Sequence, residues 1–582
     1  MDLPAGPPGV DRSRSPIKKI MKTHILSDAE LLDILENDKW ISSEEEFDVE
    51  SEYNYSSDSD DGENEGNDLQ NIVMSDYVGS GGNEVGEDLS EMYSSTNFDW
   101  SADSLNVNHF EYTATPGLKC LPNGDQPIDY FNLLVTDELL DFLVDETNIY
   151  AIEIFLNSVS DKSRISNWVN TNRLEMKTFL SLLFHMGTIK LPRLEDYWKT
   201  NKLFNLPFFR TYMSRNRFTI LLRALHFSRN PAEGESVPRN RLHKIQPIVN
   251  YFNSKMNEIF EPNKNLSLDE SMVLWRGRLI FRQYIKNKKH KFGVKLYMLT
   301  ESWGLIHKIM IYSGQGNDIS ESMTHTEFVV DNLMSGLYHK GRSLYMDNFY
   351  NSVQLSRKLL QKKTYVTGTL RSNRKHNPRE VIAQKLKKGE SICRYTEDNI
   401  CVMKWKDKRD VLTISSEFPH SMIEIEKNRS IIKPISVIKY NEHMSGIDRQ
   451  DQMTSYYPFE RKTIRWYKKI GIHCIHLLLV NSYFLYNKYA KKTTLYEFRL
   501  SVIEALLPND LDNNNTRIKK KINETHLPKK VEKNDKKKYK YKRCQICSGK
   551  GIRKDTIYYC MECNEKPGLC LESCFEEYHK KI

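Results

Sequence analysis

A multidomain α/β chain is what the sequence predicts, and three observations carry that reading. Apolar residues at helical spacing fill residues 120–262 and return over 470–507; runs of strand character, later alternating with helical ones, occupy 266–370; and six of the ten cysteines crowd into the last 39 residues. At 582 residues the chain is too long for one ordinary core.

Residues 1–115 read as a disordered acidic region. Between Trp40 and Leu118 there is no Lys or Arg but there are 20 Asp and Glu, and the tract from Ser42 to Glu91 is too poor in apolar residues to offset the entropy of ordering. Ser56, Ser57 and Ser59, set among acids, have the context of phosphorylation sites. The tract suits a solubilising tail or an acidic mimic that competes for the protein's own DNA surface. Because the total formal charge is +8, the rest of the chain carries +28. That separation of sign points to a polyanionic partner, nucleic acid first. The most apolar stretch, Ile470 to Tyr486, is broken by His473, His476 and Asn481, and no short basic-then-apolar leader opens the chain, so no membrane partner and no secretion are expected.

Phe131, Leu134, Leu139, Leu140 and Leu143, then Met176, Phe179, Leu180, Leu183 and Met186, recur at helical spacing, so residues 116–262 are expected to be mostly helical. Strand signals follow in LSLDESMVLW, RLIFRQYI, KFGVKLYMLT and GLIHKIMIYSG; after the helical THTEFVVDNLMSGLY come the strand SLYMDN, the helical NSVQLSRKLLQKK and the strand TYVTGTL. A mixed sheet with helices against it over 263–370 is the expectation. Residues 371–434 turn basic, with short strands and turns, and read as an insertion before the chain resumes at 435–457. Helical spacing returns over 458–510. Residues 511–543 form a basic linker, with 13 Lys and Arg against three acids over 517–543, and 544–582 are the cysteine-rich tail.

Three aspartates stand out by position. Asp269 interrupts an apolar strand, Asp347 ends the strand Ser343-Leu-Tyr-Met, and Asp448 opens a helical segment after Gly446. Two strand-borne carboxylates on neighbouring strands and a third on a packed helix can converge on one sheet edge, where Mg²⁺ suits their oxygens and two ions promote in-line phosphodiester displacement. An aspartate at a strand end also serves as a turn residue or helix cap, and spacing does not separate these roles. Asp451, one helical turn beyond Asp448, is either a fourth ligand or a solvent-facing acid.

In order along the chain, SLDESMVLWRGRLIFRQY, KFGVKLYMLTES, YMDNFYNS, GTLR, YNEHMSGIDRQDQM and RKTIRWYKK resemble the piggyBac transposase family, including its transposable element-derived relatives. The resemblance implies catalytic aspartates at Asp269, Asp347 and Asp448 with a further acid at Asp451. It also implies an RNase H-like catalytic core with an insertion domain, and a helical dimerisation and DNA-binding domain split around that core. The reaction it implies is cut-and-paste excision dependent on Mg²⁺ (or Mn²⁺). Nicking frees a 3′-hydroxyl, which attacks the opposite strand to leave hairpinned transposon ends, and the reopened ends join TTAA targets.

Arg461, Lys462, Arg465, Trp466, Lys468 and Lys469 mix charge with an aromatic as a phosphate-tracking surface needs, and they equally fit an amphipathic helix with Trp466 in the core. In the insertion, Arg371, Arg374 and Lys375 are candidate phosphate contacts. The run 536–543 (KKKYKYKR) reads as a nuclear localisation patch or DNA tether. Cys544-x2-Cys547, twelve residues, then Cys560-x2-Cys563 is the spacing of a tetrahedral zinc site, with Cys570, Cys574 and His579 as further ligands. The tail resembles the family's cross-brace of two Zn²⁺, which needs eight ligands where seven are evident. The resulting expectation is a nuclear DNA transposase acting as a homodimer or larger assembly on double-stranded transposon ends, with no small-molecule substrate. A domesticated descendant that keeps DNA binding, and a zinc-module interaction protein or ubiquitin ligase, are the competing classes.

Overall fold

In the computed structural model the described residues are 98–104, 109–157, 163–231, 234–236, 238–285, 291–314, 323–425, 431–461, 463, 465–508, 526–532, 539–571 and 573–579. The acidic tract with Ser56, Ser57 and Ser59, together with Lys462 and residues 536–538, lies outside them.

Six helices come first: α1 (Pro127–Leu134), α2 (Asp137–Asn157), α3 (Arg173–Thr188), α4 (Pro207–Tyr212), α5 (Arg215–Ala224) and α6 (Gln246–Ile259). Their starts follow local chemistry. Pro occupies the first turn of α1, α4 and α6, and the side chains of Asn172 and Ser214 accept the Glu175 and Arg217 amides that open α3 and α5. Two later helices, α12 (Trp466–Tyr489) and α13 (Leu495–Ala505), share one core with them, in which Phe131, Phe179 and Leu183 meet Ile475, Leu478 and Phe498. Each such side chain contributes roughly 1.5–3 kcal/mol by burial.

Among the described residues nine strands form one sheet: β1 (Asn265–Leu274), β2 (Gln283–Tyr284), β3 (Phe292–Thr300), β4 (Ile306–Ile311), β5 (Arg342–Met346), β6 (Thr364–Thr369), β7 (Ser391–Tyr395), β8 (Cys401–Lys406) and β9 (Asp410–Ser415). The order is β2-β3-β1-β5-β6-β9-β8-β7, with β4 also on β3. β1, β3 and β4 are antiparallel neighbours, whereas β5 runs parallel to β1 and β6 parallel to β5. Those two parallel links need crossovers, supplied by α7 (His325–Met334) and α8 (Val353–Gln361). Along β1 the side chains alternate. Leu266 and Leu268 enter the core with Val329 and Leu333 of α7 and Leu355 of α8, so Ser267, Asp269 and Ser271 face the other side.

Two readings of the sequence take a different form in the fold. RLIFRQYI forms only the two-residue strand β2, because Arg282 turns back to donate to the carbonyls of Arg276 and Gly277 at 3.0 and 3.2 Å. The stretch 371–434 begins with α9 (Arg379–Ala383), and its strands β7, β8 and β9 continue the main sheet, since β9 pairs antiparallel with β6. Next come α10 (Ile435–His443) and α11 (Gly446–Tyr456). Asn481, which breaks the apolar run of α12, completes the free edge of β4: its amide donates to Ile306 O at 2.8 Å and its oxygen accepts from Ile306 N at 3.1 Å. No helix of the described residues is long and apolar enough to cross a membrane.

The C-terminal module is built from short antiparallel pairs, Pro528–Lys530 with Tyr558–Cys560 and Lys542–Arg543 with Asp555–Thr556, and two small helices, Gln545–Gly549 and Cys574–His579.

Candidate functional site

Asp269 and Asp347 are brought together by strand register. Leu268 and Met346 are paired across the parallel strands β1 and β5, so the next residue on each is an aspartate, and both turn away from the α7–α8 core. The end of β5 is stapled to its neighbour by Asn351, fully buried, whose amide donates to Met346 O at 2.8 Å and Thr369 O at 2.9 Å. A Cβ on Gly368 would lie 1.9 Å from Met346 O, so only glycine fits where β6 approaches β5 at this point. The Phe349 amide donates to Asp347 Oδ1 and the Glu270 amide to Asp269 Oδ1, each at 2.8 Å.

α11 lies along the same face. A Cβ on Gly446 would meet Thr300 Oγ1 and Glu301 O at 2.4 Å and Ser267 Oγ at 3.1 Å, which shows how tightly the first turn sits on β1 and β3. Five residues on, Asp451 Oδ1 accepts from Ser271 Oγ at 2.5 Å. Gly446 over Ser267 and Asp451 over Ser271 set α11 along β1, and Asp448, between them in sequence, is exposed.

The electrostatics agree with that convergence. The Tyr440 hydroxyl on α10 is pushed up to about 12 by burial first, then by the charges of Asp347, Asp269 and Asp448, against the lowering effect of its hydrogen bond to Thr369. Burial likewise raises Asp347 above the usual carboxylate range; the Phe349 amide opposes the rise and the charge of Glu270 adds to it. A carboxylate held in its less favoured charged form, among other carboxylates and with oxygen as the only donor type, fits a hard divalent cation such as Mg²⁺. The aspartate oxygens do not all close to within 4.8 Å of one another; the donor sets that do so among the described residues lie elsewhere.

The basic candidates divide. Arg371 and Lys375 are exposed, and Arg371 Nε donates to Asn348 Oδ1 at 3.1 Å. Arg374 binds the Asn348 and Phe349 carbonyls, so it buttresses the turn that follows Asp347. Arg461 donates to Leu191 O at 2.9 Å and lies over the Tyr197 ring, Arg465 is half-buried 5.9 Å from the Tyr150 ring, and Trp466 packs edge-on against Phe281. Lys468 does not project to solvent: it is 5% exposed and caps the end of α5 through the carbonyls of Leu222 and Arg223.

In the C-terminal module the donors form two complete sets of four. Cys544, Cys547, Cys570 and Cys574 make one, and His526, Cys560, Cys563 and His579 the other. Cys547 Sγ lies 3.5 Å from Cys574 Sγ and 4.0 Å from Cys570 Sγ, near the roughly 3.8 Å that tetrahedral Zn–S bonds impose. Cys563 Sγ lies 3.2 Å from His526 Nδ1 and 3.4 Å from His579 Nε2. Phe575 O, which can only accept, is 2.7 Å from His579 Nδ1, so that nitrogen carries the proton and Nε2 is left to bind. His526 is the eighth donor. It stands 18 residues before Cys544, in no spacing that marks a ligand, and reaches the set because Pro528–Lys530 pairs with the Cys560 strand. The shortage of one ligand in an interleaved pair of sites is the one signal that could have pointed to it.

Comparison with known proteins follows this geometry. A family model described as Transposase IS4 matches residues 126–483, and one described as a DDE_Tnp_1-like zinc finger matches 521–580. Human PiggyBac transposable element-derived protein 3 is 25% identical over 407 residues, a match covering 65% of this chain and 64% of that protein. Human PiggyBac transposable element-derived protein 2 is 24% identical over 409 residues, covering 66% of each. The match thus spans just under two thirds of these relatives. A cryo-EM structure of a piggyBac transposase synaptic complex with hairpin DNA superimposes with a TM-score of 0.58 at 24% identity, over 79% of this chain and all of that one. The fold is therefore that of a transposase, a mixed α/β core with a C-terminal zinc finger. The chain belongs to the piggyBac transposase family.

Proposed function

We propose that the chain is a DNA transposase of piggyBac type. It would excise by 3′-hydroxyl release and hairpinned transposon ends and integrate at TTAA, with Asp269, Asp347 and Asp448 as the metal-binding residues. The observation that carries this reading is the register of β1 and β5, which sets Asp269 beside Asp347 while α11 carries Asp448 onto the same face. The sheet order and the parallel placement of β5 and β6 support an RNase H-like core.

Mg²⁺ (or Mn²⁺), when bound, supplies activation of the attacking oxygen and charge stabilisation of the leaving one. The chain's own residues do the rest. The Phe349 and Glu270 amides each fix one oxygen, and so orient the carboxylates of Asp347 and Asp269. Asn351 and Arg374 hold the turn that aims Asp347, and Ser271 keeps Asp451 in contact with the sheet, so Asp451 serves to seat α11. Arg371 and Lys375, exposed beside that turn, are placed to meet phosphates of double-stranded transposon ends, and the zinc module joins them in DNA binding. Assembly as a homodimer or larger complex on DNA, in the nucleus, belongs to the same reading.

A second reading is a domesticated protein that keeps DNA binding without transposition, favoured by the relatives being transposable element-derived proteins. An excision assay in cells separates the two, using a donor carrying the terminal sequences that flank this gene and an Asp347→Asn control. Scarless TTAA repair by the native protein alone supports the transposase. Absence of excision, with nuclear expression and end binding confirmed, supports the domesticated reading.

A further inference from the structure

The apolar helix α12 carries two imidazoles that neither the aspartate site nor the zinc module uses. His473 and His476 lie three residues apart on one face of the helix, 9% and 0% exposed, and both turn Nδ1 toward the same atom. That atom is Oε1 of Glu460, on the segment joining α11 to α12, 2.9 Å from each nitrogen. The three donor atoms all lie within 4.8 Å of one another, as in the two C-terminal sets. Nε2 of each ring is buried without a hydrogen-bond partner, so both rings are oriented through Nδ1 and converge on one point.

We propose that Glu460, His473 and His476 bind a divalent transition-metal ion, with zinc the first fit, at a third metal site separate from the aspartates and from the cysteine sets. Two imidazole nitrogens and one carboxylate oxygen are the borderline donors that select Zn²⁺ or Co²⁺ over Mg²⁺. Three protein ligands leave a fourth position for water. Donor atoms about 3.3 Å apart suit tetrahedral bonds of roughly 2.0–2.1 Å, so each has to move outward by a few tenths of an ångström from the present 2.9 Å. On binding, each ring gives up its Nδ1 proton position and carries its proton on Nε2. Burial pushes the Glu460 carboxyl up, and the two imidazoles beside it hold it well below the usual range. Lys469 and Arg499 also interact with the Glu460 charge and oppose any incoming dication alike, so binding rests on the two imidazole donors. An ion here would fasten Glu460 and its neighbour Arg461 to a helix that is buried along nearly its whole length.

The test is metal content of the full-length protein, measured by elemental analysis after equilibration with Zn²⁺ and removal of free ion. In a Cys544→Ser/Cys560→Ser double variant, which breaks both C-terminal sets, one zinc per chain is expected to remain; none remaining overturns the proposal. Glu460→Gln in that background is expected to lose it. Should that variant fold poorly, Co²⁺ in the double variant decides alone. A visible d–d band without thiolate charge transfer supports the site, and a colourless protein overturns it. The readout is independent of transposition, so failure here leaves the proposed function standing, and the reverse.

Discussion

Ser271 and Asp451, 180 residues apart in sequence, are joined by a hydrogen bond of 2.5 Å between the β1 hydroxyl and the α11 carboxylate. With Gly446 pressed on Ser267 and Thr300 at the other end of the contact, this bond fixes the helix along the strand. The helix that bears Asp448 is thus held by two anchors, neither of which is one of the three aspartates.

Gly446→Ala tests the first anchor. The added Cβ would sit 2.4 Å from the Glu301 carbonyl, so the helix has to lift, at an expected cost of about 1–3 kcal/mol in stability. DNA cleavage is expected to fall further than DNA binding. Unchanged urea unfolding together with native cleavage would mean that α11 does not depend on this contact.

Under the proposed function, Asp269→Asn, Asp347→Asn and Asp448→Asn are each expected to reduce strand cleavage by roughly 10³-fold or more, since each would remove a charged metal ligand worth several kcal/mol to the transition state. End-DNA affinity should change little, because a carboxylate makes no attractive contact with phosphate. Gel-shift and nicking assays on the same end duplex check the split, and parallel loss of both would sink it.

Asp347 makes a pH-dependent contribution to stability whose sign is opposite to that of a salt-bridged acid. Burial raises it in the folded state, so the folded protein holds the proton more tightly than the unfolded chain does. Its stabilising contribution is complete below the ordinary value of 3.8 and is lost as pH rises through the raised folded value. Asparagine carries the neutral form at every pH. In EDTA at pH 7 the Asp347→Asn protein should therefore melt higher than native, with the gain vanishing as pH falls below 3.8; a gain independent of pH would contradict the assignment.

Arg374 and Lys375 are neighbours with different expected phenotypes. Arg374→Ala removes the donor to the Asn348 and Phe349 carbonyls and should impair cleavage more than DNA binding, whereas Lys375→Ala, exposed, should weaken binding several-fold and steepen no other defect. Salt-dependent affinity measurements on both distinguish them, since a lost phosphate contact lowers the salt slope by about one.

His526→Ala should lower zinc content by one ion per chain while leaving the four-cysteine set loaded. Because such modules fold with their metal, the melting transition of the C-terminal module should broaden or disappear. Zinc content equal to native would remove His526 from the ligand set.

Much of this was legible in the residues themselves. The apolar residues flanking Asp269 and the turn after Ser343-Leu-Tyr-Met marked the strands and their ends, because strand character is a local property. Residue spacing alone could not show that the strands of 371–434 continue the main sheet, since strand partners are chosen by long-range packing. Nor could it show the roles of Lys468 and Arg374, cationic in sequence but committed to backbone carbonyls in the fold. His526 stayed hidden for the same reason: its value as a ligand is created by a strand pairing more than 30 residues away in sequence.

The dispersal of the aspartates along the chain also bears on biosynthesis. Asp269 and Asp347 adjoin only once β5 has paired with β1, and Asp448 and Asp451 follow four further strands of the same sheet, β6 to β9. A chain emerging from the ribosome cannot bring these four residues together until residue 451 is clear of the exit tunnel, so under the proposed function fragments left by premature termination upstream would lack the cutting centre. Late completion of that proposed centre would be a safeguard that the order of the segments provides without any inhibitor.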